Sequence, residues 1–125
     1  MEFSWQPDII EAERKHDETV ITELVVNGGD ARGKALEAVR AARKNEMENA
    51  HKLLEECNEK LLKAHEVQTT IIQESLNGGG DQQNGASLLM VHGQDHLMDA
   101  MVVRDMALEM IEMYKIIHEI KKENR

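Results

Sequence analysis

Aromatic residues are nearly missing from this chain of 125 residues: Phe3, Trp5 and Tyr114 make up 2% of it. Proline occurs once, at Pro7, and cysteine once, at Cys57. Strand-rich sandwiches and barrels draw on aromatic and β-branched residues, so this poverty argues against them. One cysteine excludes an intrachain disulfide, and its place in an amphipathic stretch suits a small core residue. No apolar run approaches the roughly 20 residues that span a bilayer. The start "MEFSWQPDII" lacks the basic residues and apolar stretch of a signal peptide. A reduced, cytoplasmic protein without membrane insertion is expected. Basic excess is also lacking: 15 Lys and Arg face 24 Asp and Glu, a formal net charge of -9. Such a chain offers no surface to nucleic acid, although its field would steer basic partners inward.

What fills the sequence instead is Ala, Leu, Glu, Lys, Gln and Met, the good helix formers. The length fits one domain. Three helical segments stand out. The first spans about 17–44, with Val20, Leu24, Ala31, Ala35, Val39 and Ala42 near helical spacing. "NGGDARG" (27–33) interrupts it with three glycines, each costing about 1 kcal/mol relative to Ala. Because the apolar phase survives the gap, one helix is expected, with glycines that let a neighbour come close. The second segment spans about 47–75. Ala50, Leu54, Cys57, Leu61, Ala64, Gln68, Ile71 and Ser75 alternate steps of three and four, a heptad-like seam. "LNGGGDQQNG" (76–85) reads as a loop. The third segment spans about 86–122. This pattern predicts an all-α fold, an antiparallel up-down-up three-helix bundle over residues 17–125. Residues 1–16 read as an extension in which Pro7 opens a short helix and Phe3 and Trp5 form a mobile or loosely docked tail.

The third segment carries too many apolar faces. At 100° per residue, Leu88, His92, Asp95, Asp99, Val102, Met106, Met110, Met113 and Ile117 form one stripe. Met90, Leu97, Met101 and Leu108 lie nearly opposite. One buried face suffices in an isolated bundle, so the second predicts a homo-oligomer. His92 and Asp95 are then buried or sit at a subunit contact. A buried carboxylate must be paired, bonded, metal-bound or protonated, and Asp99 adds a like charge one turn on.

The motif at stake is "HGQDH" (92–96). His92 and His96 have the i, i+4 spacing of zinc hydrolases, but Gly93 stands where H-E-x-x-H puts its general base. The E-x-x-H steps Glu13–His16 and Glu48–His51 suggest di-iron bundles, yet four contributing helices are wanting, and solvated polar faces are the better reading. No Ser-His-Asp or Cys-His triad emerges, and "NGGG" lacks the Gly-Lys-Ser/Thr step of a phosphate loop. Two readings remain level on the residues alone: a structural His/Asp cluster in a helical interaction module, and a histidine that carries a phosphoryl group. A neutral imidazole is a good nucleophile near pH 7; Gly93 would leave room for a partner, while Gln94 points well away from His92 along the helix.

"VHGQDHLM" (91–98) resembles the V-H-A-Q-D-H-L-M signature of the lactose/cellobiose/chitobiose class of IIA components of the bacterial phosphoenolpyruvate-dependent sugar phosphotransferase system. "AHEVQTTII" (64–72) is similar to that family's A-H-x-x-Q-T segment, and "VNGGDARGKALEAVRAARK" (26–44) resembles its first helix. The likeness covers about residues 19–120 in order, departing at Gly93, where the signature has Ala. It implies a cytoplasmic three-helix protomer assembled as a homotrimer. It further implies that His92 accepts phosphate from the phosphocarrier protein HPr and donates it to a cysteine of the cognate IIB component, during uptake of a β-linked disaccharide. Asp95 would meet its symmetry mates on the trimer axis around a shared magnesium or other divalent cation, to which hard oxygen ligands are suited. Gln68, Gln94 and His96 are supporting candidates, and apolar residues around Leu89 and Met90 would form the docking surface.

Overall fold

The computed structural model describes the backbone over residues 7–77 and 88–124, and side chains over 18–74, 76–77 and 88–124. Among these residues there are three helices and no strand: α1 (Pro7–Arg43), α2 (Met47–Leu76) and α3 (Leu88–Glu123). The all-α, three-helix architecture expected from the pattern is present. Phe3, Trp5, the greater part of the 76–85 loop and the side chains of Glu13 and His16 lie outside the described residues.

α1 is one helix, running from Pro7 straight through the glycine-rich stretch. The short helix expected from Pro7 is therefore continuous with the one expected from Asp17. α1 is also the spine of the bundle, packing along both other helices, whereas α2 and α3 touch each other far less. Its core stripe is Val20, Leu24, Ala31, Ala35, Ala38 and Ala42. Such small side chains let the helices approach closely. α2 answers with Ala50, Leu54, Cys57, Leu61 and Ala64, the expected seam, all buried. Gln68 and Ile71, one and two turns further, are half-buried.

A tight connection sets the antiparallel order. Glu46 N donates to Ala41 O at 2.9 Å and Asn45 N to Ala42 O at 3.0 Å. Asn45 has φ 63°. These two bonds with a left-handed residue between them form the Schellman ending, and asparagine tolerates that conformation. His118 near the end of α3 donates from Nε2 to the same Ala42 carbonyl at 2.8 Å, tying the α3 end to the orphan carbonyls of α1.

On α3 the buried face is Gly93, Leu97, Ala100, Ala107 and Ile111. Full burial of Leu97 alone contributes about 1.5–3 kcal/mol. The structure thus separates the two apolar stripes. Met90, Leu97 and Met101 face the core. The other stripe stays uncovered in the protomer: Leu88 is 85% exposed, Val102 60%, Met106 58% and Met113 60%. Leu108 departs from its expected side and is partly exposed. No helix among the described residues is long and apolar enough to cross a membrane.

Candidate functional site

The motif 92–96 lies in the second turn of α3, where that helix packs closely against α1. Gly28 makes this approach possible. A Cβ there would lie 3.1 Å from the His96 carbonyl oxygen and 3.3 Å from the Leu97 nitrogen, both backbone atoms of α3. Of the three glycines in "NGGDARG", only Gly28 serves the close contact; a Cβ on Gly29 or Gly33 would meet nothing within 4 Å. Gly93 faces back toward Leu24 and Ile21 of α1, with a virtual Cβ 3.4 Å from Leu24 and 3.7 Å from Ile21. These are ordinary contacts, so the alanine of the resembling signature would fit here.

With Gly93 buried, the helix turns His92 and Asp95 outward. Both are exposed in the protomer and lie on the uncovered stripe with Val102 and Met106. They are therefore not core residues of the protomer. His96 is half-buried. Its Nε2 lies 3.2 Å from Nε2 of His92, the rings meeting edge to face with centroids 4.5 Å apart. One ring donates and the other accepts.

Gln94 projects to the other side of α3, as its helical angle requires. There Gln68 Nε2 donates to Gln94 Oε1 at 2.5 Å, a part-buried link between α2 and α3. Gln68 thus reaches the motif through Gln94 and not through His92. Further along, Arg104 forms a second α2–α3 link, donating from Nη1 to Asn58 Oδ1 at 2.9 Å and from Nε to Asp105 Oδ1 at 2.8 Å. Between the two links lies a surface cleft of about 250 Å³, lined by Leu61, Leu62, His65 and Met101 among others. Apolar spacing carries no signal for Arg104 or Asn58, because cross-helix register is invisible to periodicity. Near His92, Leu88 and Leu89 are exposed, but Met90 packs against the core. Met90, half-buried against the core, offers less of its side chain to a partner than Leu88 or Leu89 does.

The chemistry of the patch is limited and specific: a solvent-facing imidazole, a second imidazole bonded to it, and a carboxylate one turn along. Within a single protomer it does not make a metal centre. No group of three or more His, Cys, Asp or Glu able to hold a metal occurs among the described residues. Glu48 and His51 are both exposed, in keeping with a solvated polar face.

The PTS system, lactose/cellobiose specific IIA subunit family matches residues 19–115. The chain belongs to this family. It is 46% identical over 102 residues to the lichenan-specific phosphotransferase enzyme IIA component of Bacillus subtilis, covering 82% of this chain and 90% of that protein. With the lactose-specific EIIA component of Staphylococcus epidermidis it shares 41% identity over 93 residues, covering 74% and 86%. Among solved structures, the cellobiose-specific enzyme IIA of Bacillus anthracis superposes with a TM-score of 0.76 at 34% identity, covering 82% of this chain and 91% of that one. The chitobiose IIA of Escherichia coli, solved in complex with HPr, gives 0.68 at 33%, covering 81% and 95%. The chain is therefore a IIA component of the lactose/cellobiose type, a phosphotransferase component of the sugar phosphotransferase system.

Proposed function

We propose that this IIA component accepts a phosphoryl group from HPr on His92 and passes it to a cysteine of its cognate IIB component, supporting uptake of a β-linked disaccharide. The observation that carries this reading is the placement of His92. It is the motif imidazole that α3 turns to solvent, beside exposed Leu88 and Leu89, where a protein partner has access. A bare ring nitrogen attacks the phosphorus in line, and the bond to the donor imidazole breaks as the new N–P bond forms. The electron pair of the broken bond returns to the donor nitrogen. Little covalent work falls to other side chains; positioning and charge stabilisation do the rest. His96, Gln94 and, through Gln94, Gln68 are the side chains that support the site.

Assembly as a homotrimer is part of the same proposal. Exposed apolar side chains recurring along α3, among them Leu88, Val102, Met106 and Met113, are the kind of surface that marks a protein contact. Three copies of α3 packed along this stripe would bring three Asp95 carboxylates together, with Asp99 one turn on. Like charges so close need a cation between them, and carboxylate oxygens fit magnesium or a similar hard divalent ion. One protomer supplies a single Asp95 side chain to such a site, so the fit depends on the copies converging. When bound, the cation offsets the carboxylate repulsion and holds the assembly together.

The function is tested by reconstituting the relay. With phosphoenolpyruvate, enzyme I and HPr, the chain should gain an acid-labile phosphate, which a cellobiose- or lactose-type IIB protein should then discharge. A chain that is labelled but discharged by no IIB protein of this class would refute the donor half of the proposal.

A further inference from the structure

His92 and His96 touch through like atoms. Their Nε2 nitrogens are 3.2 Å apart and the ring planes stand at 88°. A neutral imidazole has one N–H and one bare nitrogen. Two bare nitrogens repel, as do two N–H groups, so the contact forms only when one Nε2 is protonated and the other is bare. Either His96 donates and His92 keeps its own proton on Nδ1, or the roles are reversed.

The surroundings of the two rings are unequal. His96 is half-buried, and its carbonyl is held against Gly28 of α1. His92 is exposed, and among the described residues its side-chain hydrogen bond is to His96. Gln94, the amide of the same motif, is engaged with Gln68. If His92 donated, its bare nitrogen would be Nδ1, the one nearest its own backbone. If His96 donates, the bare nitrogen of His92 is Nε2, at the outer end of the ring, farther from the backbone.

We propose that His96 is a positioning residue that sets the tautomer of His92: its Nε2–H donates to His92 Nε2, which keeps the His92 proton on Nδ1 and the nucleophilic lone pair on Nε2. This rests on His92 being the phosphoryl acceptor. At 3.2 Å the bond is at the long end of the normal range, so it yields easily when the lone pair is needed. In the transfer that lone pair forms the N–P bond, the donor's N–P bond breaks with its electrons returning to the donor, and the Nδ1 proton stays on His92. No proton passes between the two histidines.

Long-range proton–nitrogen NMR of the unphosphorylated full chain, with histidine labelled in nitrogen-15 and both rings neutral, reads the tautomer directly. The expected spectrum has His92 protonated at Nδ1 and bare at Nε2. In His96→Ala that bias should be lost; in His96→Gln, whose amide can donate from the same place, it should be retained. A wild-type His92 protonated at Nε2, or an unchanged tautomer in His96→Ala, would overturn the proposal. Kinetics with phospho-HPr give the second readout. His96→Ala should lower kcat about five- to tenfold, the worth of one hydrogen bond, with KM nearly constant, and His96→Gln should recover most of it. An equal loss in both variants would also overturn it. Because the spectra need no phosphate, an Nδ1-protonated His92 in a chain that takes up none upholds the pairing and refutes the acceptor role instead.

Discussion

A single methyl group added at each of four glycines probes how α1 and α3 are held together. In a helix interior, Gly→Ala is worth about 1 kcal/mol of added stability when there is room. At Gly29 and Gly33 a Cβ meets nothing within 4 Å, so both variants should gain about that much. At Gly93 the new atom would sit 3.4 Å from Leu24, an ordinary contact, and the gain should be similar. At Gly28 it would lie 3.1 Å from the His96 oxygen and 3.2 Å from the His96 carbon. Both belong to α3 backbone, which cannot rotate aside as a side chain can, so the helices must part by a few tenths of an ångström. Overpacking of this kind costs about 1–3 kcal/mol. Set against the propensity gain, Gly28→Ala should end about 0–2 kcal/mol less stable than the parent, on the opposite side of it from the other three. Urea unfolding followed by circular dichroism, at one fixed protomer concentration, measures this from the midpoints. Gly28→Ala stabilising as much as Gly29→Ala would refute the close approach. Loss of stability in Gly29→Ala or Gly33→Ala would mean that another surface covers them. Since the shift falls on His96, Gly28→Ala should also slow phosphorylation of His92 more than Gly93→Ala does.

Other consequences can be checked separately. Replacing Met106 with Glu on the uncovered α3 stripe should yield a folded monomer by sedimentation, with helical content near that of the parent; unchanged assembly would exclude this stripe as the interface. Asp95→Leu should alter metal content and strengthen or weaken the assembly while leaving phosphate uptake on His92 largely in place, and unchanged metal content would count against an axial site. Burial pushes the Cys57 thiol up, partly offset by Arg104, so Cys57 should resist alkylation at neutral pH until the chain unfolds. The folded chain keeps its thiol proton where the unfolded chain releases it. The Cys57 contribution to stability is therefore lost as pH rises through the ordinary thiol range and is constant below it; a Cys57→Ala variant should lack that slope.

Much of the fold is written in apolar spacing. The α2 seam from Ala50 to Ala64 is buried residue for residue, and α1 passes unbroken through its glycines because Leu24, Ala31 and Ala35 keep phase across them. Periodicity alone fails on α3, where two stripes are apolar and either could face α1. Steric fit decides it: Gly28 and Gly93 allow contact on the Leu97 side, which leaves Val102 and Met106 outside. The α1–α2 ending depends on one asparagine with positive φ, a signal short enough to pass unnoticed in a charged stretch. At the site, the shared face of His92 and Asp95 and the i, i+4 reach of His92 to His96 follow from helix geometry. The Gln68–Gln94, Arg104–Asn58 and His118–Ala42 links do not, because each joins residues far apart in sequence whose register is fixed only once the helices pack.

The central claim is that His92 carries the phosphoryl group. Intact-mass measurement after incubation with phosphoenolpyruvate, enzyme I and HPr tests it most directly, comparing the parent chain with His92→Ala and His96→Ala. The account predicts one acid-labile phosphoryl group per parent chain, none on His92→Ala, and slower but complete labelling of His96→Ala. Full labelling of His92→Ala would contradict it.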